Sequence, residues 1–372
     1  MIKRILSDQI VKDLNRGKVQ VIFGARQIGK TTLIDSINDS ETKTLMLNCD
    51  DADDRDLLTD KTTTELRNML LGYARVCIDE AQRVPNIGMT LKKIGDLKSG
   101  VQVLVTGSSS LELANNINEP ATGRLIEYRM FPLSLREMAI ESSVREESRL
   151  LEQRLVYGLY PEVVTTPSDA KRILSSLSNN YLYKDILSYK GLKKPEMLHK
   201  LVKALALQVG EEVSFNELSG LLGIDKETVE NYISLLEKCF VIFRLDSFSR
   251  NARNEIKKGK KIYFWDNGIR NAVISNFAPL DSRNDIGALW ENLMVSERKK
   301  RNTYANTYAQ MYFWRTHEQR EIDLIEECDG VLKAFEFKSK AGKVVKCPKS
   351  FTDNYPNVEF KVITPDNMWD FV

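Results

Sequence analysis

The sequence predicts an α/β protein in which a parallel sheet is followed by a helical region and a smaller mixed α/β region. Two observations predict the sheet. Short apolar runs, too brief for helices, alternate with stretches of helical periodicity, and this alternation indicates βαβ units. A glycine-rich loop also lies between the first apolar run and the next helical stretch, where phosphate-binding loops of parallel sheets occur.

The composition is that of a globular protein and identifies no partner. The chain has 372 residues, enough for about two or three domains, and its 42% hydrophobic and 28% charged residues exclude collagen, a disulfide miniprotein and a wholly disordered chain. The net charge is +2, so a nucleic-acid partner would require a local basic patch. The five cysteines contain no CxxC pair, which indicates neither disulfides nor zinc. No apolar run approaches the roughly eighteen residues of a membrane span, so we expect a cytoplasmic protein with no membrane partner.

The elements of the first domain follow from these apolar runs. After an N-terminal amphipathic helix, we predict buried strands in the segments VQVIF (19–23), TLMLN (44–48), ARVCI (74–78) and VQVLVT (101–106). Helical stretches separate these strands. We expect this first domain to span residues 1–165.

Two further domains are predicted after it. Residues 166–283 are expected to form a helical linker and a winged helix, because two helices flank a turn at Gly223 and the strand-like segments FVIFRL and KIYFW follow them. Residues 284–372 contain one helix and then alternating segments, which predicts a small mixed α/β domain.

Residues 24–31 match the phosphate-loop pattern GxxxxGK[ST] between a predicted strand and a predicted helix. Its glycines let consecutive backbone N–H groups point at phosphate oxygens, and the helix adds the positive end of its dipole. Lys30 would reach the β- and γ-phosphates, and the Thr31 hydroxyl would bind Mg²⁺. The expected nucleotide-binding residues are Gly24, Ala25, Arg26, Gln27, Ile28, Gly29, Lys30, Thr31 and Thr32.

The segment RVCIDEAQ is a second, independent indication of nucleotide chemistry. Its apolar strand ends in Asp79 and Glu80, the Walker B arrangement, in which Asp79 holds Mg²⁺ through water and Glu80 orients the attacking water. Capping of the next helix is the alternative role of Glu80. The predicted cofactors are therefore ATP and Mg²⁺.

Three further residues are candidates for the same site. Thr106 and Ser108 follow the next strand, where a sensor residue would contact the γ-phosphate or the water, and helix capping is the alternative role of the serines. Arg124 is a candidate arginine finger, acting in cis or on a neighbouring subunit, and a solvated arginine is its alternative.

Many segments together resemble a widespread family of prokaryotic AAA-type ATPases with a C-terminal domain related to restriction-endonuclease folds. They are RQIGKTTL, VCIDEAQRVPN, VLVTGSSS, TGR followed by FPLSLREM, YGLYPEVV, YLYKDIL, KIYFWDNGIRNAV, a WEN helix, EIDLI and EFKSK. They cover nearly the whole chain, and the phosphate-loop portion is the more specific. The resemblance implies an AAA-type P-loop ATPase sheet in residues 1–165 and an endonuclease-like domain in residues 284–372.

The C-terminal carboxylates fit the second part of this resemblance. Asp329 and Gly330 form a preferred hairpin dipeptide, which would place Asp323 opposite Glu336 on the paired strand. With Lys338, they resemble a metal-dependent nuclease signature. The implied Mg²⁺ ligands are Glu291, Asp323 and Glu336, with Lys338 assisting the attacking water. The sequence departs from that signature in having EID rather than PD, and a solvated hairpin face is the alternative interpretation.

A basic run in the predicted wing is the candidate nucleic-acid contact. Its six bases are Arg250, Arg253, Lys257, Lys258, Lys260 and Lys261, against one acid. The second predicted helix of the winged helix is acidic, so the wing rather than that helix is expected to meet phosphates. Solvated lysines are the alternative.

The sequence thus predicts an ATPase associated with DNA or RNA. The rival hypothesis is a nucleotide-controlled switch whose C-terminal domain only binds a protein partner. Assembly as a homo-oligomer and the type of nucleic acid stay open at this stage.

Overall fold

The contacts of the chain, taken from a computed structural model, divide it into two compact units. The first comprises residues 1–132 and 238–240, and the second comprises residues 133–237 and 241–372. The C-terminal part of the predicted ATPase domain therefore lies in the second unit, and the division into three domains stays a prediction. The described residues are 1–107, 123–181, 194–249, 259–316, 318–340, 342 and 345–372.

The first unit contains a parallel sheet, as the sequence predicts. Its strand order within the described residues is β2-β3-β4-β1-β5. Each neighbouring pair is parallel. The strands are β1 (Val19–Gly24), β2 (Thr44–Asn48), β3 (Arg75–Asp79), β4 (Gln102–Gly107) and β5 (Leu125–Met130). The four predicted strands are confirmed, whereas β5 was not predicted, because it is a partly exposed edge strand with three charged or polar residues.

The described part of this unit has five helices. They are α1 (Ile5–Asp13), α2 (Lys30–Ile37), α3 (Ala52–Asp56), α4 (Thr63–Leu70) and α5 (Ile87–Asp96). Helix α1 precedes β1, and the other four lie between strands. The start of α4 is fixed by a capping box, in which Thr62 and Glu65 each bond to the other's backbone N–H. The N-terminal helix is anchored by Arg4, whose buried guanidinium donates to the carbonyl oxygen of Ile28 at 3.0 Å.

The strand order decides where the functional residues meet. Because β4 lies between β1 and β3, the carboxyl ends of these three parallel strands adjoin at one edge of the sheet. The phosphate loop follows β1, Asp79 ends β3, and Thr106 lies near the end of β4. Ligands of open parallel sheets bind at this edge.

The second unit combines helices with a mixed sheet. Its described helices are α6 (Leu135–Glu141), α7 (Val144–Arg149), α8 (Leu151–Tyr157), α9 (Pro161–Thr165), α10 (Ala170–Ser176), α11 (Pro195–Leu207), α12 (Phe215–Leu222), α13 (Lys226–Lys238), α14 (Asn267–Val273), α15 (Ile286–Tyr304), α16 (Lys349–Thr352) and α17 (Met368–Phe371). Its described strands are β6 (Glu212–Val213), β7 (Ile242–Ser247), β8 (Lys260–Phe264), β9 (Gln310–Arg315), β10 (Glu321–Cys328), β11 (Val331–Phe337) and β12 (Glu359–Ile363). No described helix of either unit is both long and apolar enough to cross a bilayer.

The strands of this unit form one seven-stranded sheet in the described residues. Its order is β12-β11-β10-β9-β7-β8-β6. Helix α12 ends at Leu222 and is capped by Gly223, α13 follows, and β7 pairs antiparallel with β8, while the winged helix itself stays a prediction. However, β7 also pairs in parallel with β9 through Asp246 and Ser247. The predicted boundary between residues 283 and 284 therefore crosses a continuous sheet.

The C-terminal hairpin has the predicted register. Cys328 pairs with Val331, and the ladder continues to Leu324 opposite Phe335. On the other side of β10, the register with β9 shifts between Ile322 and Ile325, which indicates a bulge. This bulge includes Asp323, the central carboxylate of the C-terminal signature.

A buried polar contact joins the segment after α8 to the start of α14. The Asp266 carboxylate accepts hydrogen bonds from the backbone N–H of Leu159 at 2.6 Å and of Ile269 at 3.0 Å. Gly158 makes this approach possible. Its backbone has φ +70° and ψ −157°, and a Cβ there would overlap the Asp266 carboxylate.

We expect Gly158→Ala to lower the free energy of unfolding by about 3 kcal/mol or more, because that backbone region is essentially limited to glycine and costs roughly 1–3 kcal/mol before any overlap. Chemical denaturation would measure the loss. Gly223→Ala is the control, since Gly223 has φ +62° with nothing within 4 Å of its Cβ position. Equal losses for the two variants would contradict the role assigned to the Asp266 contact.

Candidate functional site

The phosphate loop lies between β1 and α2, as its motif requires. Gly29 has φ +89° and immediately precedes α2, and Gly24 packs so closely that a Cβ would overlap the carbonyl oxygen of Met130. The ammonium of Lys30 donates to the carbonyl oxygens of Gly24 at 3.1 Å and Ala25 at 2.8 Å. Lys30 is nearly buried. The loop thus curls around its own lysine, which places a positive charge where a phosphate chain would enter.

Asp79 links the end of β3 to the start of α2 and to β4. Its carboxylate accepts hydrogen bonds from the hydroxyl of Thr31 at 2.8 Å and from the hydroxyl of Thr106. The Thr106 hydroxyl also accepts the backbone N–H of Glu80 at 3.2 Å. The sequence suggests Thr106 as a sensor of phosphate or water, whereas the structure places it fully buried against the acid pair. Ser108 lies outside the described residues.

Glu80 has a strained backbone and a specific partner. Its φ is +51°, in the left-handed region, and it precedes the 3₁₀ turn Ala81–Arg83. Its side chain makes no capping hydrogen bond to that turn, so the capping alternative is not observed. Instead, one Glu80 carboxylate oxygen accepts the side-chain amide of Gln82 at 2.5 Å. Gln82 was not predicted from the sequence as a partner of Glu80. Its position two residues after Glu80 could have indicated this contact.

The donor set at this edge fits a magnesium ion. Mg²⁺ prefers oxygen ligands and usually keeps several waters, so a hydroxyl and one carboxylate are a sufficient protein contribution. The Thr31 hydroxyl and the Asp79 carboxylate are in direct contact beside the loop that holds Lys30. These two residues would hold the ion together with nucleotide phosphates.

Arg124 does not lie near this edge in its own chain. It precedes β5, and its carbonyl oxygen accepts the N–H of Val19 at the amino end of β1. The phosphate loop follows the opposite end of β1, which is six residues or roughly 20 Å away along the strand. The guanidinium forms an ion pair with Asp96. Arg124 thus lies at the end of β1 opposite the phosphate loop, and its role as an arginine finger, in cis or on a neighbouring subunit, stays a prediction.

In the second unit, Lys261 contacts two acids of the C-terminal region, an arrangement that the sequence does not predict. Lys261 on β8 is only 2% exposed, and its ammonium lies 3.0 Å from a carboxylate oxygen of Glu291 on α15. It also forms an ion pair with Glu321 on β10. The hydroxyl of Tyr263 donates to the same Glu291 oxygen at 2.6 Å. We call Glu291, Glu321, Asp323, Glu336, Lys261 and Lys338 the carboxylate cluster.

Burial and charge shift the pKa values in this cluster. Burial, together with the charges of Glu291 and Glu336, raises the pKa of the Asp323 carboxyl well above its usual range. Burial alone would lower the pKa of the Lys261 ammonium, but the neighbouring carboxylates outweigh it and raise that pKa. Lys261 is therefore a permanent cation at neutral pH, and Asp323 is a carboxyl that resists ionisation.

The predicted Mg²⁺ ligands of the C-terminal region each contact another group of the protein. Glu291 faces Lys261 and Tyr263, Asp323 accepts the backbone N–H of Phe337 at 2.7 Å, and Glu336 pairs with Lys338 at 2.7 Å. Within the described residues, no three His, Cys, Asp or Glu side chains are grouped so that they could hold a metal ion. One oxygen of each of these carboxylates has a protein donor as its partner, and the role of Glu291, Asp323 and Glu336 as metal ligands stays a prediction.

The predicted basic surface is smaller than the sequence suggests. Lys261 is buried in the carboxylate cluster, so it is not available to a nucleic-acid backbone. Lys260 is mostly covered and forms an ion pair with Asp246. The other four bases of that run, Arg250, Arg253, Lys257 and Lys258, lie outside the described residues.

Three family models match successive parts of the chain. An AAA domain matches residues 16–139, which include the phosphate loop, Asp79, Glu80 and the parallel sheet. Two models described as domains of unknown function match residues 148–280 (DUF8612) and 286–367 (DUF4143). The first of these matches supports the AAA-type part of the sequence resemblance, while the other two carry no described activity.

Individual relatives add little about activity. An uncharacterized protein of Haemophilus influenzae is 24% identical over 72% of this chain and 72% of its own length. An uncharacterized protein of Methanocaldococcus jannaschii is 24% identical over 97% of this chain and 85% of its own. Among solved structures, a signal transduction ATPase with numerous domains from Pyrococcus horikoshii is 12% identical, with a TM-score of 0.30 over 82% of this chain and 46% of that one.

Proposed function

We propose that the first unit binds ATP with Mg²⁺ and hydrolyses it. Lys30 and the backbone N–H groups of the phosphate loop would bind the phosphates, while Thr31 and Asp79 would hold the ion. Bound Mg²⁺ would neutralise charge on the phosphates. Glu80 would orient the attacking water, with one carboxylate oxygen held by Gln82 and the other turned to the water.

The observation that carries this proposal is the hydrogen-bonded network around Asp79. Thr31, Thr106 and the Glu80 backbone come from three separate segments and converge on one carboxylate or its partner hydroxyl. Phosphoryl transfer depends mostly on positioning and electrostatics, so a preformed network of this kind suits hydrolysis. The match of residues 16–139 to an AAA domain supports the same conclusion.

We expect Glu80→Gln to retain ATP binding and to lose about 10²–10⁴-fold in kcat, because general-base assistance contributes that much. Lys30→Ala should lose ATP binding itself. Titration with a fluorescent nucleotide and a phosphate-release assay would separate the two effects. Glu41→Gln is the matched control, since Glu41 is exposed and lies outside the site. Hydrolysis by Glu80→Gln at the wild-type rate would contradict the role of Glu80.

The position of Thr106 yields a second prediction. Thr106→Val keeps the shape of the side chain but removes the hydroxyl that bridges Asp79 and the Glu80 backbone. A hydrogen bond to a charged group contributes about 1.5–3 kcal/mol, so kcat should fall roughly one to two orders of magnitude. ATP affinity should change much less. Thr106→Ser retains the hydroxyl and should stay near the wild-type rate. If the valine and serine variants behaved alike, packing rather than the hydroxyl would account for the effect.

We also propose that the ribbon of β7 and β8, with the basic run between them, associates with nucleic acid. The observation that favours this is the connectivity β6, α12, α13, β7, β8, in which β6 pairs with β8 as in winged helices. The segment between β7 and β8 is the basic run, and four of its bases precede β8. Phosphate contacts by such bases give affinity without sequence preference.

We expect duplex DNA binding, if it occurs through this run, to weaken steeply with salt, with a slope near −0.9 for each phosphate contact. Arg253→Glu with Lys258→Glu should lower the affinity and reduce the magnitude of that slope by about 2. Fluorescence anisotropy between 50 and 200 mM salt would measure both. Lys200→Glu with Lys203→Glu is the matched control, since it makes the same charge change on exposed positions of α11. Equal effects of the two pairs would contradict the proposed surface and favour the nucleotide-controlled switch.

A further inference from the structure

A cavity lies at the adjoining ends of β7 and β9 in the second unit. Ser247 is the last residue of β7 and Arg315 is the last residue of β9, and these parallel strands pair through Ser247 and Phe313. The cavity has a volume of about 590 Å³, which is within the range of small-molecule sites. We call it the β7–β9 cavity. Its polar and aromatic lining residues are Glu212, Ser247, Trp314, Arg315, Thr316 and Gln319.

The polar groups of this lining have unused hydrogen-bonding capacity. The Nε atom of Arg315 is shielded from solvent and has no hydrogen-bond partner among the described residues. The guanidinium lies 4.0 Å from Glu212 and 3.8 Å from Glu321, which is too far for hydrogen bonds. Ser247 is only 3% exposed, and its hydroxyl makes no hydrogen bond to any described residue. Buried polar groups are nearly always paired, so these atoms indicate that the cavity binds a polar ligand.

The charges of the lining favour a neutral ligand over an anion. Among the described lining residues, Arg315 is the one cation and Glu212 is the one anion. Glu321 adds a second negative charge 3.8 Å from the guanidinium. A phosphate bound here would be repelled by both carboxylates. The ligand that fits is uncharged, and it carries acceptors for the guanidinium together with donors for the carboxylate.

A nucleobase has these properties. Guanine, for example, presents the acceptors O6 and N7 and an amino donor. A base that has left its stack is bound by aromatic rings, by arginine guanidinium planes and by hydrogen bonds to its edges. The lining offers Arg315 and also Trp314, whose ring is held edge-on against Phe351 with 5.0 Å between the ring centres. Both residues end β9, so the sheet fixes their backbone positions.

The place of the cavity in the chain connects it to the basic run. Ser247 and Gly259 both contribute to the lining, and the four bases that precede β8 lie between these two residues in the sequence. A strand whose phosphates contact this run would therefore have bases near the cavity.

We propose that the β7–β9 cavity binds one unstacked nucleobase of the strand that contacts the basic run. Arg315 donates to acceptors on the base edge, Glu212 accepts from an amino or ring N–H group, and Ser247 adds a hydroxyl partner. This inference rests on the proposed association of the ribbon with nucleic acid, and it adds a base contact to phosphate contacts that carry no sequence information. A free nucleoside has the same base chemistry and is tested separately.

The test compares DNA strands that differ only in their bases. Fluorescence anisotropy would measure the binding of the full chain to a strand of about 15 abasic nucleotides, a length that spans a typical single-strand site. The same strand would then carry one central base, tried as each of the four bases. At least one base should raise the affinity roughly 5- to 150-fold, the contribution expected from stacking of one base.

Two variants locate the bound base. Arg315→Gln should abolish the advantage of the base-bearing strand, and Ser247→Ala should reduce it roughly 2- to 10-fold, because one hydrogen bond is lost. Arg320→Gln is the matched control, since it makes the same charge change on an exposed residue outside the lining, and it should retain the advantage. Binding of the abasic strand should change no more in Arg315→Gln than in this control. Ser247→Ala removes a single hydroxyl, so it keeps the test available if Arg315→Gln does not fold.

Isothermal titration with the four free nucleosides separates the two sources of the base. Nucleoside binding that is weakened in Arg315→Gln or Ser247→Ala, without binding of either strand, would keep the cavity as a base site and reject the proposed association with nucleic acid. Salt-dependent binding of the abasic strand with no advantage for any base, and no such nucleoside binding, would keep the phosphate contacts and reject the cavity as a base site.

Two results would overturn the inference. The first is equal affinity for the abasic strand and for all four base-bearing strands, together with no nucleoside binding that depends on Arg315 or Ser247. The second is a base advantage that both Arg315→Gln and Ser247→Ala leave intact, because the base would then bind elsewhere on the protein. The comparison of strands is made on the wild-type chain, so the first result is decisive even where a variant fails to fold.

Discussion

The Asp79 carboxylate is the contact on which the geometry of the first unit's site depends. It ends β3, and its two oxygens accept the hydroxyls of Thr31 from α2 and Thr106 from β4. This convergence is possible only because β4 lies between β1 and β3 in the sheet. The strand order therefore determines the chemistry, since it brings a hydroxyl, a carboxylate and a lysine-bearing loop to one edge. The backbone of Glu80 is in the left-handed region, and its N–H donates a hydrogen bond to the hydroxyl of Thr106.

The carboxylates of the second unit have different partners from the Asp79 carboxylate of the first. At the proposed nucleotide site, Asp79 has hydroxyl partners, so its charge would remain available to a cation that arrives with the nucleotide. In the carboxylate cluster, Lys261 and Lys338 already provide cations from within the fold. Two groups of acids that look alike in sequence thus differ in what they can bind. The difference lies in the partners of the carboxylates and not in the carboxylates themselves.

The sequence predicted best what is encoded locally. Lys30, Thr31, Asp79 and Glu80 belong to short motifs with strand and helix on fixed sides, and the hairpin register follows from Asp329 and Gly330. Lys261 could not be placed in this way, because its burial depends on the pairing of β7 with β9, which joins residues more than sixty positions apart through only two residue pairs. Read alone, it is one more lysine in a basic run.

The ion pairs of Lys260 and Lys261 affect how the near-neutral net charge of the chain is distributed over its surface. The chain carries 54 basic and 52 acidic residues, and segments of opposite charge could form separate surfaces. However, opposite charges that pair closely largely cancel each other's field at a distance. Lys260 and Lys261 are paired with Asp246, Glu291 and Glu321. Only the four bases that precede them remain for a phosphate backbone, so nucleic-acid affinity through this run should be modest and strongly dependent on salt.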